Sequence, residues 1–186
     1  MPEMQKLIIR NDDISVDTNL ELLKEFCDLC DQYGHKIIQA ITPIGITIPI
    51  SAAQNNDSII NLSGSRLFIE NIIVYEYLLR RDDLFGVHGL WHTHRVREEE
   101  ISLATKLITD WGFYPEYYVC PFNEGDYGDS IHGLKVLNHN CDRIETYFDN
   151  GILPKTEIGY LHSWRFNNSP YNLNQLEKFF KLWNTR

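Results

Sequence analysis

The sequence predicts an α/β fold built on a mainly parallel sheet, open or closed into a barrel. Two observations carry that expectation. Short apolar β-type segments alternate with segments of helical period along the chain, the order that parallel sheets require. The chain has 186 residues, of which 43% are hydrophobic and 23% charged. That matches a single domain, residues 1–186, with an ordinary core.

The elements follow in order. Leu7, Ile8 and Ile9 open a strand that runs through Arg10 and Asn11 into two adjacent acids, Asp12 and Asp13. Thr18-x-x-Glu21 is a capping-box pattern. After it Leu20, Leu23, Phe26, Cys27, Cys30 and Tyr33 recur at helical spacing up to Gly34. Residues 36–42 read as a strand, and 43–67 as mostly loop with a short strand at 58–62. Residues 68–81 read as a helix and 84–88 as a strand. Ile101, Ala104, Leu107, Ile108 and Trp111 mark another helix face, with Glu98–Glu100 as its solvated first turn. Residues 116–120 read as a strand, 129–138 as a helix, and 143–148 and 157–164 as strands. In the final helix Leu173, Leu176, Phe180 and Trp183 share a face behind Asn172, a candidate cap.

Composition narrows function. A formal net charge of -9 argues against nucleic acid as a partner, since phosphate-backbone binders carry a basic face. No apolar run approaches the roughly 18 residues of a membrane span, and the N-terminus shows no signal-peptide core. The expectation is a cytoplasmic protein without a membrane partner. Cys27 and Cys30 lie inside a helical pattern and read as small buried residues. Cys120 and Cys141 are isolated.

In parallel α/β folds the ligand site lies at the C-terminal strand ends. Asp12 and Asp13 follow the first strand, and His88 ends another, with His92 and His94 just after it. Pro121, Phe122 and Asn123 follow a third, and His162 lies near the end of the last. His88 and His92, four apart in a turn-like loop, can face one metal ion. A carboxylate from another strand end completes an Asp/His/His set that leaves positions open for water and substrate. Zinc is the default for nitrogen and oxygen ligands, with cobalt, nickel and iron as alternatives.

These motifs resemble the polysaccharide deacetylase family, the NodB-homology domain of carbohydrate esterase family 4. RNDDI (10–14) matches its strand ending in Asp-Asp, and HGLWH (88–92) its His-x-x-x-His. VCPFN (119–123) matches part of its Arg-x-Pro-aromatic segment, and YLHSW (160–164) its Leu-x-His. The resemblance implies a distorted (β/α) barrel of about seven strands. It implies removal of N-acetyl groups from an amino sugar or polysaccharide, with release of acetate. By motif position Asp12 is the general base, Asp13, His88 and His92 are the metal ligands, and His162 is the general acid. Trp91, Pro121, Phe122, Asn123 and Trp164 are candidate contacts to an N-acetylated carbohydrate, with Tyr127 a further aromatic for the groove.

The chain departs from the family pattern at Val119, which stands where the third motif has arginine. Arg10, Arg143 and Arg165 are the candidate replacements. Asp126, Asp142 and Asp149 are the candidates for the acid that tunes His162. Two other readings stay open: a catalytically impaired carbohydrate-binding protein with the same fold, and an amide hydrolase for a non-sugar substrate.

Overall fold

The structure, a computed structural model, describes residues 6–46, 65–94, 96–138, 140–167 and 172–185. Its main sheet is assembled from β1 (Ile8–Ile14), β2 (Lys36–Ile41), β5 (Leu84–Val87), β6 (Tyr117–Val119), β7 (Ser130–Ile131), β8 (Leu134–Leu137), β9 (Asp142–Arg143) and β10 (Ile158–Leu161). The order is β7-β8-β6-β5-β2-β1-β10-β9. All neighbours are parallel except β7 and β8, which form an antiparallel hairpin at one edge. The sheet curls into a half-barrel, in keeping with the distorted barrel expected, and among the described residues its end strands, β7 and β9, are not paired with each other. Two further strands, β3 (Ile44–Ile46) and β4 (Ser65–Leu67), pair antiparallel as a separate ribbon.

Among the described residues five helices complete the fold: α1 (Leu20–Gln32), α2 (Ile72–Leu79), α3 (Glu98–Asp110), α4 (Glu145–Asn150) and α5 (Leu173–Trp183). Strand alternation explains the layers. Ile37 and Ile41 of β2 join Leu23, Phe26, Ile101 and Phe180 in the large core under the helices. Ile38 and Ala40 turn the other way, onto Val119, Leu137 and Cys141 inside the curl. Arg10 is in register with Ile38 and Tyr160, so it also faces the inside of the curl. Cys27 and Cys30 are fully buried free thiols on α1.

Several local expectations change. Residues 129–138 form the β7–β8 hairpin, because His132 (φ 49°) and Gly133 (φ 81°) make a two-residue left-handed turn. Residues 143–148 hold only the end of β9 before α4 begins at Glu145. Strand β10 stops at Leu161, and a 3₁₀ turn covers Ser163–Asn167. The expected 68–81 helix is a 3₁₀ turn at Phe68–Glu70 followed by α2. The cap of α1 is Asn19, whose side chain accepts the Leu22 N–H at 3.1 Å, while Thr18 Oγ1 accepts from Ser15 N. The expected loop 43–67 holds β3 and β4 at its two ends, and the strand expected at 58–62 lies outside the described residues. Among the described residues no helix is long and apolar enough to cross a membrane.

One buried titratable group sets a pH dependence of stability. His35 is 5% exposed, lies edge-on to Phe180, and leaves Nε2 without a hydrogen-bond partner. Burial pushes its pKa down to about 4. Below about pH 6.5 the unfolded chain binds a proton that the folded chain refuses. Stability attributable to this residue is therefore complete above pH 6.5 and falls as the pH drops to 4, by about 3 kcal/mol in all. Urea unfolding at pH 7, 5.5 and 4 should show a steeper loss for the parent than for His35→Gln. Equal slopes would exclude the assignment.

Candidate metal centre

The β1–β2 register shifts between Asn11 and Ile14, and Asp13 takes a left-handed backbone (φ 65°). Neighbouring side chains on a regular strand point to opposite faces. The bulge cancels that rule here, so Asp12 lines the inside of the curl while Asp13 turns toward the histidine loop. Among the described residues five non-glycine residues have positive φ, and four of them, Asp13, His92, Phe122 and Asn123, lie at this rim. Backbone strain of that kind concentrates where a constellation must be held in place.

His88 extends the β2–β5 ladder by donating its backbone N–H to Ile41 O at 2.8 Å. Its Nδ1 lies 2.9 Å from Val119 O. A carbonyl can only accept, so Nδ1 carries the proton and Nε2 presents a lone pair. Gly89 (φ 70°) then turns the chain so tightly that a Cβ would sit 3.0 Å from Pro121 Cγ. The loop brings His92 back beside His88, with ring centroids 4.7 Å apart.

Asp13 Oδ1 lies 3.3 Å from His88 Nε2 and 3.0 Å from His92 Nε2, and the ligand atoms of the three residues all lie within 4.8 Å of one another. Yet Oδ1 is buried with no properly aligned hydrogen-bond donor. A buried carboxylate oxygen facing an imidazole lone pair is repulsive unless a cation lies between them. Burial pushes the Asp13 pKa up, and positive charge on the imidazoles, or on a cation between them and the carboxylate, pulls the group well below the usual carboxylate range. The other oxygen, Oδ2, accepts the Trp164 indole N–H at 3.1 Å and lies 3.6 Å from His162 Nε2. The residues fit a divalent ion with open positions.

Asp12 is 3% exposed and sits in the fork of Arg10, with Nε to Oδ1 at 2.8 Å and Nη2 to Oδ2 at 2.7 Å. Arg10 is fully buried, lies 4.5 Å over the Tyr160 ring, and donates from Nη2 to Asn123 Oδ1 at 2.8 Å. Of the three candidate arginines, Arg10 grips the acid. Arg143 Nε pairs with Glu145 Oε2 at 3.1 Å, and Arg165 lies over Trp164.

His162 Nδ1 is 3.1 Å from Glu145 Oε1, which also accepts the His162 backbone N–H at 3.3 Å. Glu145 is 1% exposed. Burial opposes the charge on His162, but the Glu145 bond and the nearby Asp12 and Asp13 outweigh it and raise the pKa. The acid against His162 is thus Glu145, a residue outside the three expected. Asp142 instead accepts from the Lys155 and Thr156 backbone, and Asp126 from the Gly128 N–H. Reading 143–148 as a strand hid Glu145. The available signal was Gly151, which ends α4 in the left-handed conformation.

The remaining rim residues divide. Trp164 is 45% exposed and Phe122 46% exposed. Phe122 stacks on His94 at 3.8 Å and lies 4.5 Å from His92. Pro121 is buried under Gly89, and Asn123 turns its side chain to Arg10. Trp91 packs half-buried against the large core, and Tyr127 bonds Val96 O while packing on Tyr118. A cavity of about 180 Å³ beside the site is lined by Asp13, Ser15, Asp17, Thr18, Ser163 and Trp164.

No family model and no curated protein matches the chain. Among solved structures it is similar to the peptidoglycan deacetylase PdaC from Bacillus subtilis. The TM-score is 0.58 at 12% identity, over 97% of this chain and 84% of that one. The similarity spans nearly the whole chain and shows that it shares the fold of that protein.

Proposed function

We propose that the protein is a metal-dependent hydrolase that removes N-acetyl groups from an amino sugar or polysaccharide and releases acetate. The observation that carries this reading is the orphaned, buried Asp13 Oδ1 facing two imidazole nitrogens. Asp13, His88 and His92 would hold the ion, with zinc the first choice for this donor set. A divalent ion there supplies Lewis acidity toward an amide carbonyl and toward water.

The other residues handle protons. Asp12 accepts the proton of the attacking water. The Arg10 fork occupies one lone pair on each of its oxygens and leaves others available. His162 Nε2 faces the Asp13 carboxylate and gives its proton to the departing amine. Glu145 holds Nδ1, fixes the ring and stabilises the charged imidazole. Trp164 and Phe122, both partly exposed at the rim, offer aromatic surface to a sugar ring. Val119 in the arginine position favoured a binding protein that has lost catalysis, and the grip of Arg10 on Asp12 removes that reason.

The test is elemental analysis of the purified protein together with acetate release from an N-acetylglucosamine oligomer. Stoichiometric metal and acetate are expected, and a metal-free protein that takes up none from solution would end the proposal. His162→Ala should keep its metal and lose about 10²–10⁴-fold in rate. Loss of metal as well would make His162 a ligand instead.

A further inference from the structure

A buried chain of polar side chains runs from the helix side of the sheet to the peptide that carries His162. Asn11 and Gln39 are both fully buried and are register partners on β1 and β2. Asn11 Nδ2 donates to Gln39 Oε1 at 3.0 Å. Gln39 Nε2 donates to Asp83 Oδ2 at 2.8 Å. Asp83 is gripped by Arg81 at 2.7 and 2.9 Å, and Arg81 also holds Asp31 through two bonds of 3.0 Å. At the near end, Asn11 Oδ1 accepts the Ser163 N–H at 2.9 Å.

The chain has a direction imposed by chemistry. An ionised carboxylate only accepts, so Asp83 forces Gln39 to present its NH₂ toward it. Gln39 must then turn its oxygen to Asn11, and Asn11 must turn its NH₂ to Gln39. What Asn11 has left for Ser163 is an acceptor. The β1–β10 ladder runs only to the Asn11–Leu161 pair. Beyond it two consecutive backbone N–H groups are held by buried side-chain oxygens, His162 N by Glu145 and Ser163 N by Asn11. Trp164, which donates to the ligand Asp13, follows directly.

We infer that Asn11 is a positioning residue that fixes the His162–Ser163 peptide, and that Asp83 through Gln39 sets the orientation in which it does so. Asn11 aligns the proton donor and the indole that braces Asp13 without touching substrate. The inference rests on the deacetylase reading only where turnover is measured.

Asn11→Leu removes the acceptor at similar volume. Asn11→Asp keeps the acceptor for Ser163 but sets an oxygen against Gln39 Oε1. Both should melt lower than the parent, so stability alone cannot separate positioning from mere support. In the zinc-loaded proteins Asn11→Leu should lose about 10-fold or more in kcat with KM little changed, while Asn11→Asp stays within a few-fold of the parent. A readout independent of turnover is the ¹⁵N imidazole spectrum, in which the His162 signals should move in Asn11→Leu and stay in Asn11→Asp. If Asn11→Leu does not fold, Gln39→Met frees the Asn11 amide to flip and should shift His162 in the same direction. A protein inactive on every acetylated substrate but showing this spectral pattern defeats the deacetylase reading and leaves the inference standing. His162 signals that match the parent in Asn11→Leu, or in Gln39→Met where that variant is the one that folds, overturn it.

Discussion

Asp12→Asn is expected to retain zinc and to lose about 10²–10⁴-fold in acetate release, the range for a lost acid-base group. Asp13→Asn is expected to lose the metal itself. The two acids are adjacent and the bulge brings both to one rim, yet their partners differ. Asp13 Oδ1 faces His88 and His92 with no other donor, so a neutral amide there replaces a charged ligand with a weak one. Asp12 faces Arg10 and makes no part of the ligand set. An amide at position 12 cannot accept the water's proton. Metal content by elemental analysis, measured well below each variant's melting range, separates the two losses. Full activity in zinc-loaded Asp12→Asn would place the base elsewhere.

The sequence suggests that both asparagine substitutions, being nearly isosteric, leave folding little changed. The Arg10–Asp12 pair alters that expectation for Asp12. Both partners are essentially sealed from water, and breaking a buried pair from one side leaves the other charge uncompensated. Arg10→Met is accordingly expected to destabilise the protein by about 3–5 kcal/mol. The variant also loses the bond to Asn123. Combining Arg10→Met with Asp12→Asn removes both charges, and the double variant should recover part of the loss. Urea unfolding of the parent, both single variants and the double variant measures the coupling. Strict additivity of the two single losses would mean that the pair does not act as a unit. Glu145 is a useful contrast. It meets His162 and Arg143 together, so removing either one still leaves it a partner.

The sequence by itself determined the alternating α/β plan, the strand ends at which polar residues gather, and the spacing of His88 and His92. Those are properties of period and order, and they are local. Asn172 was legible as a cap for the same reason. The tertiary structure decided what joins residues across strands. Periodicity does not encode a bulge, so Asp13's turn out of the strand was invisible, although that turn is what brings Asp13 to the histidine loop at the same rim as Asp12. Arg10 was one candidate among three until strand alternation, registered against Ile38 and Tyr160, set it on the same face as Asp12. Glu145 was missed because β-type residues around it outweighed the short helix that a left-handed Gly151 closes. The sequence assigned no role to Asn11. Its orientation follows from an acceptor-only carboxylate on another segment, reached through Gln39, and only packing brings those groups within hydrogen-bond distance.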